Sequence, residues 1–161
     1  MAVALVRIDD RLVHAQVIEG WLKEVAADHI VVVSDEVAGD EIQKAMYSFA
    51  VPYGIKISCF SLKDAARHLA DMISRGTDNL MILMPSFAEA AALLESGIKF
   101  KSVNVGGLHA RQGKKFYTPT ISVDEKDMEY ARLLDAAGTE LETRVLPLNP
   151  KKNFFEVIKG S

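Results

Sequence analysis

Two arginines, two aspartates and one histidine fall within eight consecutive positions, Arg7-Ile8-Asp9-Asp10-Arg11-Leu12-Val13-His14. An imidazole next to guanidinium groups suits transfer of a phosphoryl group. Neutral imidazole can attack phosphorus, and a guanidinium can then hold the resulting anion through several N–H donors. Arg11, three residues before His14, is the first candidate for that duty. A carboxylate repels a phosphoryl group, so Asp9 and Asp10 read better as loop supports that hold Arg7, Arg11 or one ring nitrogen of His14. The catalytic candidates are therefore His14 and Arg11. Arg7, Asp9 and Asp10 are candidates for phosphoryl binding or loop support.

A second segment, Val103 to Lys115, joins a strand pattern to Gly106-Gly107 and then to basic residues. Such a loop can bring its backbone close to an anion, so Gly106 and Gly107 join the phosphoryl-binding or loop-support set. A solvated basic turn explains the composition equally well. The segment is not a phosphate loop of the nucleotide-binding kind. Five residues separate Gly107 from Gly113, and Lys115 stands where Ser or Thr is required. His29 at a strand start, His68 in mid-helix and His109 in the glycine loop are weaker candidates. No His or Cys spacing predicts a metal site, no cofactor is expected, and no G-x-S-x-G elbow predicts a hydrolase. Cys59, in the alternating run 55–60, reads as a small strand side chain. Ser34-Asp35-Glu36 either opens at the working end of the sheet or caps a helix. Phe87 either forms a rim or is buried.

Short β-branched runs that alternate with helical patterns must position these residues. Strands are expected at Val3–Ile8, His29–Val33, Ile55–Phe60, Leu80–Met84, Ser102–Val105, Ile121–Val123 and Glu140–Leu146. Between them, Val17, Ile18, Trp21, Leu22 and Val25 mark one face of a helix over 16–27, whose N-terminus lies beside His14. Such a terminus carries about +0.5 charge and unpaired N–H groups that favour an anion. Further helices are expected over 40–50, from Leu62 past Ile73 behind a Ser61 cap, from Ser86 to Glu95, from Asp124 to Asp135, and over 151–159. This rhythm predicts an α/β fold. It would be one doubly wound domain over 1–161, an open twisted mostly parallel sheet of about six or seven strands with helices on both faces. In such sheets the working residues collect beyond the carboxyl ends of the strands.

The bulk properties limit the alternatives. The chain has 161 residues, of which 49% are hydrophobic and 25% charged, enough apolar material for one substantial core. A net charge of −3 gives no global basic excess for nucleic acid. A single cysteine cannot form an internal disulfide, which fits a reducing compartment. Charges from residue 7 onward interrupt any secretory signal, and no apolar run approaches the roughly 20 residues of a membrane span.

The run Arg7 to Val17 closely resembles the active-site segment of the enzyme IIB component of the mannose/fructose/sorbose branch of the bacterial phosphotransferase system. Three more matches follow in order: Val32-Val33-Ser34-Asp35-Glu36-Val37-Ala38, Ser102-Val103-Asn104-Val105-Gly106-Gly107 and Ser122-Val123-Asp124-Glu125-Lys126-Asp127. Together they span essentially the whole chain. The resemblance implies that His14 is phosphorylated on Nδ1 by a phosphohistidine of a IIA domain. It implies that the phosphoryl group passes to a hexose-type sugar in the membrane IIC/IID permease. The chain would then be a phosphohistidine–sugar phosphotransferase, cytoplasmic and held at the inner face of the plasma membrane through the permease. Homodimers are frequent in the family and are expected on that ground. A regulatory relay that accepts phosphate without feeding a permease is the alternative. Many members carry glycine after the active histidine, whereas this chain has Ala15. A positive φ there would cost about 1 kcal/mol, and a helical φ would make alanine harmless.

Overall fold

Four nearly unbroken apolar runs become the middle of a sheet covered on both faces. The structure, a computed structural model, describes residues 3–109 and 113–159. In chain order the first half comprises β1 (Val3–Asp9), a π-helical segment (Gln16–Trp21), β2 (His29–Val33), α1 (Asp35–Ala38), α2 (Glu41–Ala50), β3 (Lys56–Phe60) and α3 (Leu62–Arg75). The second half comprises β4 (Leu80–Met84), α4 (Phe87–Glu95), β5 (Ser102–Gly107), β6 (Lys115–Thr118), β7 (Ile121–Val123), α5 (Glu125–Ala136), β8 (Glu140–Thr143), β9 (Lys152–Asn153) and α6 (Phe154–Lys159). The main sheet has seven strands in the order β3-β2-β4-β1-β5-β8-β9, parallel except for the β8–β9 edge. The expected α/β class and the mostly parallel sheet are both present.

Strands β2 and β4 are buried along their full length, as a sheet with two covered faces requires. On one face Ala65 and Leu69 of α3, Phe87, Ala90 and Leu93 of α4, and Ala131 and Leu134 of α5 pack onto Val6, Ile8, Val31 and Ile82. On the other, Val17 and Trp21 of the π segment join Leu12, Val13, Ile30, Val32 and Leu83. The connection leaving β1 runs over the second face, and that leaving β5 leads to helices on the first. These adjacent strands therefore form a switch point with a crevice at their carboxyl ends. Ser61 and Ser86 cap α3 and α4 as expected, and Asp124 with Asp127 forms a capping box at α5.

Several boundaries differ from expectation. The helix expected over 16–27 is a six-residue π segment followed by turns. Two β-branched residues and Gly20 weaken α-helix there. Gly20 also lets Leu146 approach, since a Cβ would lie 3.1 Å from its Cδ2. Ala26, at φ 53, ends the segment. The strand expected over 140–146 stops at Thr143, and residues 152–153 form a short antiparallel strand before α6. Strand β7 does not enter the main sheet but pairs antiparallel with β6. Ser34 caps the short helix α1, and Phe87 is fully buried rather than a rim residue. Cys59 is half-buried.

Candidate active site

The loop after β1 is shaped by Asp9, whose side chain is fully buried. Its Oδ1 accepts the Arg11 backbone N–H at 3.0 Å, and the Leu12 N–H donates to the Asp9 carbonyl at 3.0 Å. This tight turn forces Leu12 to φ 55, a left-handed conformation that costs an L-residue roughly 1–2 kcal/mol. Burial of Leu12 and Val13 beneath the π segment offsets that strain. With those two side chains turned inward, His14 is presented at the surface with 16% of its side chain exposed. Ala15 has φ −54 and ψ −43, ordinary right-handed geometry, so alanine is harmless there.

Three cationic or protonatable groups converge on the Asp9 carboxylate. Arg7 Nη2 donates to Oδ2 at 3.0 Å, His14 Nε2 lies 2.9 Å from the same oxygen, and Arg11 Nε reaches Oδ1 at 3.4 Å. Burial by itself would raise the Asp9 carboxyl. The hydrogen bond to His14, the charge of Arg7 and the Arg11 N–H outweigh it and hold the group at about 2. An ionised carboxylate only accepts, so the ring proton of His14 sits on Nε2. Nδ1 is left as the open nitrogen and takes no hydrogen bond among the described residues.

Arg7 is wholly enclosed. Besides Asp9, its Nη1 donates to Asn104 Oδ1 at 2.7 Å and to the Arg144 carbonyl at 3.0 Å. Asn104 in turn donates to Glu142 at 3.2 Å, and Glu142 accepts from Arg144 Nη2 at 2.8 Å. Trp21 is in cation–π contact with both guanidinium groups, its ring centroid 5.3 Å from Arg7 Cζ and 5.1 Å from Arg144 Cζ. Gly106 is obligatory here, because a Cβ would fall inside the Arg7 guanidinium. The strand-five glycines therefore make room for the buried support of the loop. Among the described residues no buried side-chain N or O is left without a partner.

Asp10 turns the other way. Its two oxygens take the backbone N–H and Nδ1 of His109, each at 2.6 Å. It also lines a hollow of about 360 Å³ with Ser34, Asp35, Glu36, Asp40, Tyr47 and Glu89. Tyr47 packs against the core cluster that holds Leu12 and Val13, which ties α2 to the histidine loop.

The structure thus gathers Arg7, Asp9, Arg11, His14, Gly106 and Gly107 at the switch point, with Asp10 on the flank. The expected helix terminus belongs to a segment of only six residues, Gln16–Trp21, which opens with the Val17 and Ile18 N–H groups both donating to the His14 carbonyl at 3.0 Å. Lys114 is paired with Asp127 at 2.7 Å, and Lys115 lies over the Tyr117 ring. Arg111 lies outside the described residues. Sequence reasoning missed Asn104, Glu142, Arg144 and Trp21 as partners of the buried Arg7. The one available signal was Asn104, a polar residue between valines in a strand otherwise apolar up to its glycines. Among the described residues no group of three or more His, Cys, Asp or Glu is placed to hold a metal ion.

The depressed Asp9 value fixes a pH dependence. Its ionised form is favoured by folding, so its contribution is complete above the unfolded carboxyl value near 4 and is lost as pH falls through about 2. The shift corresponds to about 2 kcal/mol. Denaturant unfolding between pH 5 and pH 2 should show this loss, and Asp9→Asn should flatten it.

Comparison with known proteins adds lineage. Residues 3–161 match the family model described as the PTS system sorbose subfamily IIB component. The mannose-specific EIIAB component of Escherichia coli K12 is 39% identical over 158 residues, which is 98% of this chain but 49% of the relative. The chain therefore spans about half the length of the first curated relatives it matches. The fructose-specific EIIB component of Bacillus subtilis is 33% identical, with 99% of this chain and 98% of the relative covered. The crystal structure of the IIB domain of the sorbose permease from Klebsiella pneumoniae superposes with a TM-score of 0.92 at 30% identity, covering 100% of this chain and 98% of that one.

Proposed function

The chain belongs to the sorbose-subfamily IIB components of the sugar phosphotransferase system, and on that premise we propose that it carries a phosphoryl group on His14 Nδ1 between a IIA donor and a sugar. The observation that carries this reading is the 2.9 Å contact of His14 Nε2 with Asp9, which leaves Nδ1 unprotonated and outward. In the forward step the Nδ1 lone pair attacks phosphorus. The Nδ1–P bond forms as the P–N bond to the donor histidine breaks, and the donor imidazole leaves with that electron pair. The Nε2 proton stays against Asp9, whose negative charge compensates the cationic ring of the phosphohistidine. Arg11, with 39% of its side chain exposed, is placed to meet phosphoryl oxygens. The second transfer, to a hexose-type sugar in a IIC/IID permease, reverses the roles. The work would be done at the cytoplasmic face. No helix among the described residues is long and apolar enough to cross a membrane, which suits a carrier that relies on a separate permease. The relatives named for particular sugars support uptake, and no observation favours a regulatory relay. The test is mass spectrometry after incubation with phosphorylated IIA: one phosphoryl increment on the His14 peptide is expected, and an unlabelled His14 in folded protein would refute the reading.

Helix α2 bears on how the donor docks. It buries no residue, and Ile42, Met46 and Phe49 form an exposed apolar stripe, with Phe49 90% exposed. Tyr47 of the same helix packs against the core cluster that holds Leu12 and Val13 of the His14 loop and lines the hollow beside Asp10. A standard interface covers about 800 Å² per partner, so one centred on His14 extends over α2. We assign the stripe to the IIA donor. Phe49→Asp should raise KM for phospho-IIA roughly tenfold and leave kcat within about twofold, as loss of uniform binding requires.

A further inference from the structure

A phosphoryl group on His14 would enter a crowded electrostatic field. It carries up to about two negative charges, and the neighbouring hollow is lined by Asp10, Asp35, Glu36, Asp40 and Glu89. Few donors nearby are uncommitted among the described residues. Arg7 is buried and satisfied by Asp9, Asn104 and the Arg144 carbonyl. Arg11 is partly engaged by Asp9 and by Gln16 Oε1 at 2.8 Å.

His109 is differently placed. Asp10 holds both its backbone N–H and its ring Nδ1 at 2.6 Å, so one carboxylate fixes the position and rotation of the ring. The ring stays 39% exposed, and the Nδ1 contact leaves Nε2 on the free side. Only Gly107 separates it from the histidine machinery. A Cβ at Gly107 would lie 3.1 Å from His109 Cε1 and 3.2 Å from Asp9 Oδ1. The consecutive aspartates thus hold two imidazoles at one mouth, Asp9 orienting His14 and Asp10 orienting His109.

We propose that His109 is a second phosphoryl-binding residue acting as the imidazolium with both ring protons in place, its Nδ1–H held by Asp10 and its Nε2–H donating to the phosphoryl oxygens of His14. This rests on the carrier reading above. It also gives Asp10 a use at a site where an unpaired carboxylate would repel the ligand. His109 forms no covalent bond in the step and donates a hydrogen bond only.

The experiment compares wild type, His109→Ala and His109→Gln with phosphorylated IIA. His109→Ala should slow transfer to His14 roughly 10²-fold in kcat with KM little changed, the scale for loss of one preorganised donor. It should also shift the phosphoryl equilibrium back towards IIA. His109→Gln, which keeps an N–H donor, should recover most of both. A folded His109→Ala protein with wild-type rate and equilibrium overturns the proposal. If that variant does not fold, ¹⁵N NMR of the wild type decides: the His109 Nε2 resonance should move when His14 is phosphorylated, and an unmoved resonance overturns the proposal. A wild type that takes no phosphate on His14 overturns this inference together with the carrier reading, whereas wild-type labelling with indifferent His109 variants overturns this inference alone.

Discussion

His14→Gln protein should accept no measurable phosphoryl group from IIA. Removing the nucleophile of a covalent step leaves only binding and electrostatic terms, and the rate should fall by at least about 10⁴-fold. The fold should barely register the change. The partly exposed His14 side chain makes one polar contact among the described residues, 2.9 Å to Asp9, and Gln can still reach that carboxylate with an amide N–H. The free energy of unfolding should stay within about 1 kcal/mol of wild type. Denaturant unfolding and a phosphotransfer assay on the same sample separate the two effects, and residual labelling at another residue would show that the carrier atom lies elsewhere.

Asp9→Asn should do the opposite, damaging both the fold and the chemistry. The amide has the shape of the carboxylate but no charge, so Arg7 would remain enclosed with its principal counter-ion gone. Leaving a buried charge uncompensated costs roughly 3–5 kcal/mol. For a domain of this size that lowers Tm by on the order of 10 °C. The chemical loss has a separate cause. An Asn side chain can offer N–H to the His14 ring, turning Nε2 into an acceptor and moving the proton to Nδ1. The attacking nitrogen would then lack its lone pair. Tautomer errors of this kind cost about 10⁴-fold in other histidine-dependent enzymes. Transfer should therefore fall by about 10²- to 10⁴-fold even at temperatures where the variant is fully folded. Calorimetry and ¹⁵N NMR of the His14 ring would read the two losses independently, and a wild-type tautomer in the variant would contradict the second.

The architecture was legible wherever burial on both faces writes itself into composition. Ile30 to Val33 and Leu80 to Met84 are unbroken apolar runs because the sheet is covered on both sides there, and Ser61, Ser86 and Asp124 announce helices because a cap is a local interaction. The π segment was not legible. Its apolar residues recur at spacings that α and π windings share over so short a stretch, and the contact between Gly20 and Leu146 is remote in sequence. For the site, the residue types around His14 pointed to the chemistry, and strand periodicity puts Arg7 and Asp9 on one face of β1. The partners of Arg7 could not be read. Asn104 and Arg144 are 97 and 137 positions away and meet it only because β5 lies beside β1, and β8 beside β5, in the finished sheet. The sequence marks the glycine pair for anion approach or for loop support, and at Gly106 the space a side chain would take is filled by the Arg7 guanidinium.

The indole in contact with Arg7 and Arg144 is the only tryptophan in the chain. Two guanidinium charges lie near its ring, and its N–H donates to the Val145 carbonyl at 2.9 Å, so its emission is expected to respond to changes in those charges. One of those charges, on Arg7, shares an Asp9 oxygen with the His14 ring. The molecule therefore carries an intrinsic fluorophore one cation–π contact and two hydrogen bonds from the His14 ring, and loading of the proposed carrier histidine is expected to register in its emission without an attached dye.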